Sequence, residues 1–415
     1  MKNVLRDGEH RHNKSSAEAE VPVGDALPFS VVQRAFFSYA HARQRPVAAW
    51  RLPEQEQQHV IIDQYGSGQL PPFPLELLPA GFVTHPFSEH KQPSFVRADA
   101  HYTTGAPLTQ DANQKALRLV EDYTEAKSHS PTPYEVSPTL PSPNTKRRSF
   151  ISAVAEAVRA IEAGRLHKVV PSRQKSIALP TDFDLTEAFQ RLCAAYPSAF
   201  VSVFSIPGVG TWLGASPETL VSTYQQGGQS VFRTMALAGT QVAQGQNPLK
   251  HASWRQKEIE EQAMVSRYII NCFKKIRLRE FEESGPKTVA AGNLLHLRTD
   301  FTVDTEATNF PDLGSTMLRL LHPTSAVCGM PKEPALAFLR EHEHYDRSFF
   351  SGYLGPVNVA EASHIFVNLR CAQLLEQRAL LYAGAGVTAD SEPEKEWQET
   401  ELKMNTLLHV IAETN

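Results

Sequence analysis

The chain has 415 residues, of which 41% are hydrophobic, and a formal charge of −4 at pH 7, so it can bury a large core in one to three domains. The mild negative charge argues against a general nucleic-acid binder, and no apolar stretch approaches the ~20 residues of a membrane span. The cysteines Cys193, Cys272, Cys328 and Cys371 form no CxxC pair, which favours reduced thiols and a cytoplasmic location.

The beginning of the chain differs in composition from the rest. Residues 1–24 are polar, with no apolar run behind their charges, and this predicts a disordered tail rather than a signal peptide. Residues 25–127 are interpreted as an N-terminal lobe. Residues 128–148 hold five prolines, at positions 131, 133, 138, 141 and 143, and are interpreted as an extended connector. Residues 149–415 form the larger remaining region.

The larger region begins with a helix and several strands. Phe150, Val154 and Ile161 recur at helical spacing, and Gly164 stands where a helix usually ends. The segment HKVVPS that follows is short and β-branched, which predicts a strand. FVSVFSI and TWLGAS predict two strands joined by a Pro-Gly turn, and SVFRTMALAGT predicts another that runs into a glycine turn.

The second half of this region predicts a long helix and a final group of strands. The helix should span about Trp254 to Arg279, with Ile259, Val265 and Ile269 in its apolar stripe. HIFVNLRCAQLL and ALLYAGAGV predict paired strands before a C-terminal helix. Because neighbouring strands form hairpins, the pattern indicates a mixed, largely antiparallel α+β architecture rather than a βαβ repeat.

Two predicted helices carry carboxylates at i, i+3 spacing. Glu258 and Glu261 form one such pair, and Glu396 and Glu399 form the other, with Lys403 on the same face. Carboxylates placed in this way suit Mg²⁺, which prefers oxygen ligands. The alternative is two solvated helix surfaces, since exposed helices commonly display glutamates.

Four further side chains are candidates for a site. Lys168 starts a predicted buried strand, where burial lowers the pKa of a lysine toward that of a general base, unless the side chain extends to solvent. Glu218 follows a proline at a strand end and is either a positioned acid or a helix-capping residue. Arg370 lies in a predicted apolar strand, where a buried guanidinium needs a carboxylate. His322 either donates to a ligand or is a satisfied loop histidine.

Taken together, these motifs resemble the chorismate-utilising enzymes, and among them the isochorismate synthases. The resemblance covers about residues 148–412, with its motifs in order and at compatible spacing. The segments that carry it are KVVPSR, LGASPETL, ALAGT, KEIEEQAMV, LHPTSAVCGMP, YDRSFFSGYLG, VNLRCA and AGAGVTADSEPEKEWQETELK.

The resemblance implies a fold and a chemistry. The fold would have two stacked, largely antiparallel β-sheets with outer helices, and would unite the lobe and the chorismate-binding region 149–415 in one domain. Lys168 would activate water for attack at C2 of chorismate, and Glu218 would protonate the departing C4 hydroxyl. Glu261 and Glu399 would bind Mg²⁺, with Glu258 and Glu396 in support. The substrate-binding residues would be His322, Thr324, Ala326, Arg370, Gly384, Ala385, Gly386, Lys403, Gly239 and Thr240.

Particular positions favour water rather than ammonia as the nucleophile. Anthranilate synthases usually have glutamine where Lys168 stands, and aminodeoxychorismate synthases usually have lysine where Ala238 stands. We therefore expect no glutamine amidotransferase subunit, and a monomer by resemblance. Pro171, Ser325 and Gln262 depart from the family pattern, but none of them is a reacting group.

Other functions remain open at this stage. A salicylate synthase would form isochorismate and then eliminate pyruvate, and a non-catalytic homologue would only bind chorismate. Without the resemblance, a carboxylate-rich Mg²⁺ hydrolase is a third interpretation. Isochorismate itself supplies menaquinone, siderophore or salicylate formation.

Overall fold

The computed structural model describes residues 27–66, 68–71, 73–106, 111–124, 132–137, 144–243, 247–291 and 294–412. The helices in these ranges are α1 (Phe29–Arg43), α2 (Asp111–Thr124), α3 (Arg147–Glu162), α4 (Leu185–Ala195), α5 (Pro248–His251), α6 (Gln256–Lys275), α7 (Leu313–Leu321), α8 (Lys332–His342) and α9 (Pro393–Ala412). A short 3₁₀ turn spans Leu75–Leu77.

The strands in these ranges are β1 (Val47–Arg51), β2 (Gln58–Ile62), β3 (Gly81–His85), β4 (Ser94–Arg97), β5 (Ala100–Thr103), β6 (Lys168–Val169), β7 (Ser172–Ala178), β8 (Phe200–Ile206), β9 (Gly210–Ser216), β10 (Thr219–Gln226), β11 (Gln229–Val242), β12 (Glu282–Ala291), β13 (Leu294–Asp304), β14 (Gly329–Met330), β15 (Tyr353–Val357), β16 (Ser363–Val367), β17 (Cys371–Leu374) and β18 (Arg378–Gly384).

The strands form two large antiparallel sheets and one small ribbon. The first sheet has the order β5-β2-β1-β8-β9-β17-β18-β7, and the second has the order β12-β13-β11-β10-β16-β15-β3-β4. The ribbon pairs β14 with β6. Strands from the region 25–127 lie in both large sheets, beside strands from the later part of the chain.

The two sheets stack face to face through an aromatic layer. Ala48 and Trp50 of β1 face this layer, while Val47 and Ala49 face the helices outside, as the two-residue period of a strand requires. The rings of Phe200 on the first sheet and Phe366 on the second lie 4.0 Å apart and nearly parallel. α1, α2, α4 and α9 cover the outer face of the first sheet, and α6 and α7 cover that of the second. The expected α+β architecture of two stacked sheets with outer helices is confirmed.

Several local predictions are also confirmed. Helix α3 buries Phe150 and Val154 and ends next to Gly164, whose φ of 70° is readily adopted only by glycine. FVSVFSI and TWLGAS form the hairpin β8–β9. Cys193, Cys272, Cys328 and Cys371 are all buried free thiols.

Three local predictions were wrong. HKVVPS is not one strand, because the chain leaves the ribbon after Val169 and joins the first sheet at Ser172, across a proline that cannot donate to a ladder. HIFVNLRCAQLL is divided between β16 in the second sheet and β17 in the first. The long helix ends at Lys275, just before Arg277 with its positive φ, and Ile259 is 46% exposed instead of belonging to the apolar stripe.

The tail 1–24 and residues 128–131 and 138–143 of the connector lie outside the described residues. Among the residues that are described, no helix is both long and apolar enough to cross a membrane.

Candidate active site

A cavity of about 720 Å³, counted out to its open mouth, lies where the ends of both sheets meet α6 and α9. Its walls combine apolar side chains with charged groups from separate parts of the chain. The lining residues include Glu218, Leu237, Ala238, Gly239, Thr240, Glu261, His296, Ala326, Val327, Arg347, Phe350, Leu369, Arg370, Gly384, Gly386, Glu399 and Lys403. The structure thus brings together residues from all eight motifs singled out in the sequence, with Val170 of KVVPSR in the cavity wall and Lys168 of the same motif beside it.

Lys168 is buried beside this cavity and does not extend to solvent. Only 1% of its side chain is exposed, and its Nζ donates a hydrogen bond to Oε1 of Glu261 at 2.7 Å. The position follows from the ribbon, because β6 pairs with β14 and directs Lys168 inward. The alternative of a lysine that extends to solvent is therefore wrong.

Gly386 makes this pairing of Lys168 with Glu261 possible. A Cβ at position 386 would lie 2.5 Å from Oε1 of Glu261 and 3.2 Å from Cε of Lys168. Any side chain there would displace the carboxylate or the ammonium. Glycine at this position is thus a steric requirement of the site.

Of the three glutamates among the described cavity-lining residues, Glu261 and Glu399 form ion pairs with lysines, and Glu218 does not. It follows β9 and is buried, and its backbone carbonyl accepts a hydrogen bond from Val367 N–H at 3.0 Å. Burial raises the pKa of Glu218 to about 8, although the charges of Lys168 and Lys403 oppose the shift. The carboxyl is therefore protonated at neutral pH and can donate a proton.

α9 presents Glu399 and Lys403 to the cavity. Their side chains form an ion pair at 2.6 Å, and Nζ of Lys403 also donates to the carbonyl oxygen of Gly384 at 2.9 Å. The helix is thereby joined to the end of β18. In the glycine turn itself, Ala385 is fully buried, and its N–H donates to the carbonyl of Pro171 at 3.1 Å. That N–H is therefore occupied within the protein, while Gly384 and Gly386 line the cavity.

Arg370 lies where the chain crosses from β16 in the second sheet to β17 in the first. It is the last residue before β17, and it lines the cavity. Its φ of 48° is unusual for a residue with a side chain. Burial lowers the pKa of Arg370 to about 10, and Glu399 and Tyr196 oppose that shift. The group remains a cation at neutral pH, and its Nη1 lies 3.4 Å from Oγ1 of Thr406.

Glu258 and Glu396 are engaged by basic side chains and are not among the described cavity-lining residues. Glu258 accepts hydrogen bonds from the backbone N–H of Arg255 at 3.0 Å and from its guanidinium at 2.5 Å, at the start of α6. Glu396 pairs with Lys257 of α6 at 2.6 Å. Burial and the nearby Glu399 raise the pKa of Glu396, although Lys257 opposes the shift. This second pair joins the ends of α6 and α9.

Glu261 and Glu399 are the carboxylates that open into the cavity and could hold a metal ion. Within the described residues, no cluster of three or more histidine, cysteine, aspartate or glutamate side chains could bind a metal on its own. Mg²⁺ typically takes one or two carboxylates and completes its shell with waters and substrate oxygens. The donor set therefore fits a Mg²⁺ ion that is shared with substrate.

The loop after α7 contributes less to the cavity than its sequence indicated. Ala326 lines the cavity, whereas His322 packs between the rings of His85, at 5.0 Å, and Tyr353, at 4.9 Å. Burial lowers the pKa of His322 to about 3, so the ring is neutral. Thr324 is buried and is not among the described residues that line the cavity.

Of the cavity residues that were missed in the sequence, two carry a buried imidazole or guanidinium. His296 of β13 is buried, and its Nδ1 donates to the carbonyl of Gly239 at 2.8 Å, while Nε2 has no partner among the described residues. Arg347 is buried and donates to the carbonyls of Val170 and Val327 at 2.7 and 2.8 Å. For His296 the available signal was one polar side chain among leucines, whereas Arg347 follows the polar run EHEHYD, which offered no such signal.

The comparisons with known proteins agree with this geometry. A family model described as "Chorismate binding enzyme" matches residues 84–412. The isochorismate synthase EntC of Escherichia coli (strain K12) is 29% identical over 272 residues, which are 64% of this chain and 68% of EntC. The isochorismate synthase DhbC of Bacillus subtilis (strain 168) is 28% identical over 301 residues, which are 70% of this chain and 73% of DhbC.

A solved structure shares the fold at lower sequence identity. It is MenF, the menaquinone-specific isochorismate synthase from Escherichia coli, with a TM-score of 0.72 and 20% identity, covering 94% of this chain and 92% of MenF. Since the family model spans most of the sequence and the structure matches MenF over nearly its whole length, the chain belongs to the chorismate binding enzymes and has the chorismate-utilising enzyme fold.

Proposed function

We propose that this protein is a Mg²⁺-dependent isochorismate synthase, an isomerase that converts chorismate to isochorismate. The observation that carries the proposal is a pair of buried groups at one cavity with opposite tasks. Lys168 is a basic side chain that would accept a proton once it is released from Glu261 as the free amine, and Glu218 is a carboxyl that keeps its proton up to about pH 8. Addition of water together with loss of a hydroxide needs one group of each kind.

In this mechanism, Lys168 takes a proton from a water molecule as the water oxygen forms a bond to C2 of the ring. The ring double bond shifts, the bond from C4 to its hydroxyl breaks, and Glu218 gives its proton to the departing oxygen. One water is consumed and one is released, so the product is an isomer of the substrate. Lys168 must leave its ion pair with Glu261 before it can act as a base.

The substrate is a dicarboxylate, and the cavity supplies cations for it. Arg370 can bind a carboxylate with two parallel hydrogen bonds, and Lys403 adds a second positive charge. Of the glycine turn, the Gly386 N–H is the donor that is not used within the described residues. Apolar walls at Leu237 and Phe350 exclude water from the ring.

Glu261 and Glu399 are the proposed Mg²⁺ ligands, with Glu258 and Glu396 behind them. Bound there, Mg²⁺ would neutralise the carboxylates of protein and substrate and so weaken the hold of Glu261 on Lys168. The present partners of Glu261 and Glu399 are ammonium groups, and this supports the proposal that both carboxylates bind a cation.

The wider setting is also part of the proposal. We propose a cytoplasmic monomer that needs no glutamine amidotransferase, since a buried lysine that activates water replaces the need for ammonia. Four buried free thiols support a reducing compartment. Relatives with menaquinone-specific and vibriobactin-specific names support a role in menaquinone or siderophore formation.

The test is incubation of purified protein with chorismate and Mg²⁺ in water enriched in ¹⁸O, followed by chromatography and mass spectrometry. We expect isochorismate that carries one solvent oxygen, in equilibrium with chorismate, and no conversion in EDTA. Salicylate with pyruvate would show a salicylate synthase instead. Folded protein that binds chorismate without converting it would show a binding homologue and remove the catalytic roles.

A further inference from the structure

Arg173 is a buried cation that takes no part in the proposed chemistry. It lies on β7, and only 2% of its side chain is exposed. Its side chain contacts α9 rather than the cavity, and it is not among the described cavity-lining residues. Because burying a guanidinium is costly unless its hydrogen bonds are made, its partners indicate what it does.

All the partners of Arg173 on α9 lie on one face of that helix. The guanidinium carbon lies 3.7 Å from the centre of the Trp397 ring, within the range of a cation–π contact. Nε donates to Oγ1 of Thr400 at 2.6 Å, and Nη2 donates to Oε1 of Glu401 at 2.5 Å. Thr400 is fully buried and donates in turn to the carbonyl of Trp397 at 2.6 Å, so its hydroxyl is held in one orientation.

This face of α9 is adjacent to the face that serves the cavity. Thr400 follows the cavity-lining Glu399 by one residue, and Trp397 follows Glu396, which lies on the same helix face as Glu399, by one residue. One residue corresponds to a rotation of about 100° around a helix. Any rotation or sliding of α9 that displaced Glu399 and Lys403 from the cavity would therefore also break the contacts of Arg173.

Arg173 is itself fixed relative to the rest of the site. It pairs with Ala383 of β18 in the first sheet, next to the pair formed by Ser172 and Gly384. Gly384 lines the cavity and accepts the hydrogen bond from Lys403. The chain also runs directly from Lys168 through Pro171 into β7. One strand thus connects the proposed base to the orientation of the helix that carries the proposed metal ligand.

We propose that Arg173 is a positioning residue that sets the rotation of α9, and so places Glu399 and Lys403 opposite Lys168 and Glu261. The significance of those four groups rests on the proposed function, but the positioning of α9 does not. The planar guanidinium is needed because it stacks on Trp397 and donates sideways to Thr400 and Glu401 at once, which an ammonium cannot do.

Lys175 provides a matched control. It lies two residues further along the same strand and binds the same carboxylate, Glu401, at 3.0 Å, but its side chain is 35% exposed and contacts neither Trp397 nor Thr400 in the described structure. The contacts of Arg173 with Trp397, Thr400 and Glu401 are called the clamp below. Loss of a positive charge near Glu401 is therefore separable from loss of the clamp.

The experiment compares wild type with Arg173→Lys, Arg173→Met, Thr400→Val and Lys175→Gln. Hydrogen–deuterium exchange of α9, Mg²⁺ affinity by calorimetry without substrate, and kcat and KM for chorismate are measured on each. We expect Arg173→Lys to accelerate exchange in α9 while α3 and α6 keep their protection, and to weaken Mg²⁺ binding about 10-fold, as loss of a residue behind a metal ligand does. Lys175→Gln should match wild type in all three measurements.

Further outcomes decide between a clamp and general stability. Thr400→Val should reproduce part of the effect of Arg173→Lys on α9 exchange and Mg²⁺ affinity. In the double variant that combines the two changes, the loss of Mg²⁺ affinity should be smaller than the sum of the two single losses, because both changes remove the same contact. If Arg173→Met fails to fold, Arg173→Lys and Thr400→Val still test the clamp. Unchanged α9 exchange and Mg²⁺ affinity in Arg173→Lys would overturn the inference, even with an active wild type. A wild type that neither binds Mg²⁺ nor converts chorismate, combined with faster α9 exchange in Arg173→Lys, would overturn the proposed function and leave the clamp in place.

Discussion

Two glutamates that line the same cavity differ in ionisation, and the difference lies in their neighbours. Burial opposes the charge of both Glu218 and Glu261. At Glu261 burial is the largest single influence and raises the pKa of the carboxyl, but the ammonium of Lys168, 2.7 Å away, together with Lys403 and Lys257 outweighs it, so the pKa is lowered. At Glu218 the same lysines Lys168 and Lys403 act only at longer range, and burial raises the pKa to about 8. Contact with a cation thus distinguishes the proposed metal ligand Glu261 from the proposed acid Glu218.

The comparison explains why the site needs its particular backbone. Gly386 leaves room for Lys168 to reach Glu261, whereas Glu218 approaches the cavity from the end of β9, where the chain passes from the first sheet to β10 of the second. A cavity with a lysine close to both carboxyls would contain no proton donor at neutral pH. The predictions below alter one side of this comparison at a time.

Removing Lys168 should have the largest effect. Lys168→Ala deletes the proposed base and the cation that keeps Glu261 ionised, so turnover should fall by about 10³-fold. The pKa of Glu261 should rise above its usual range and make Mg²⁺ binding pH-dependent near neutrality. Steady-state kinetics and calorimetry at several pH values measure both effects, with circular dichroism as the control for folding. Near-native turnover would remove the assignment of the base.

Replacing Glu218 tests the other side. Glu218→Gln keeps the shape of the side chain but has no acidic proton, so turnover should fall by about 10²-fold or more. Mg²⁺ affinity should stay within about twofold, since Glu261 and Glu399 are unchanged. A variant with reduced Mg²⁺ affinity and normal turnover at saturating Mg²⁺ would show that Glu218 is a ligand rather than an acid.

Replacing Glu399 tests the metal site directly. Glu399→Gln removes one of the two carboxylates that open into the cavity and releases Lys403 from its ion pair. We expect at least about 10-fold weaker Mg²⁺ binding by calorimetry, and activity that added Mg²⁺ restores poorly. Ordinary Mg²⁺ dependence in this variant would contradict the ligand assignment.

The pH profile of the wild type gives a smaller effect without mutation. The acid must be protonated, and the pKa of Glu218 is about 8, so kcat/KM should fall as pH rises through this value, by about tenfold for each further pH unit. The descending limb should disappear from the residual activity of Glu218→Gln. An identical alkaline limb in both proteins would assign it to another group.

Cys328→Ser should have the smallest effect. It tests whether a buried group with a raised pKa affects activity when it does not line the cavity. Burial raises the pKa of the Cys328 thiol to about 11, the same direction of shift as at Glu218, but the group does not line the cavity. Its Sγ lies 3.7 Å from the carbonyl oxygen of Pro323, which can also accept from a serine hydroxyl. We expect unchanged kcat and a loss of about 1 kcal/mol in the free energy of unfolding at most. Complete loss of activity would mean that the thiol has more than a packing role.

The sequence predicted those parts of the molecule that depend on local patterns. Helix α3, the hairpin β8–β9 and the shared face of Glu396, Glu399 and Lys403 follow from periodicity and turn residues. The resemblance supplied the two-sheet architecture and most of the cavity residues. The division of HIFVNLRCAQLL at Arg370, where φ is positive, could not be predicted. It depends on the assignment of the consecutive strands β16 and β17 to different sheets, which is a tertiary feature.

Other features depended on partners far away in the chain. The inward direction of Lys168 is set by pairing with β14, about 160 residues later in the chain. The exposure of Ile259 depends on which face of α6 packs against the second sheet. The partners of Glu258 and Glu396 are basic residues that no spacing rule distinguishes from surface lysines and arginines. His296 was hidden because a single histidine in an apolar strand has no pattern of its own.

The pair of Lys257 and Glu396 joins two helices that cover opposite outer layers of the sandwich, and this has a consequence for folding kinetics. The charged groups of the cavity come from sequence positions between 168 and 403, so none can be placed until both sheets and both helices have docked. Chains dominated by such distant contacts fold slowly, whereas helices form early. Recovery of catalysis after dilution from denaturant should therefore lag behind the far-ultraviolet helical signal, and would report the last step of assembly.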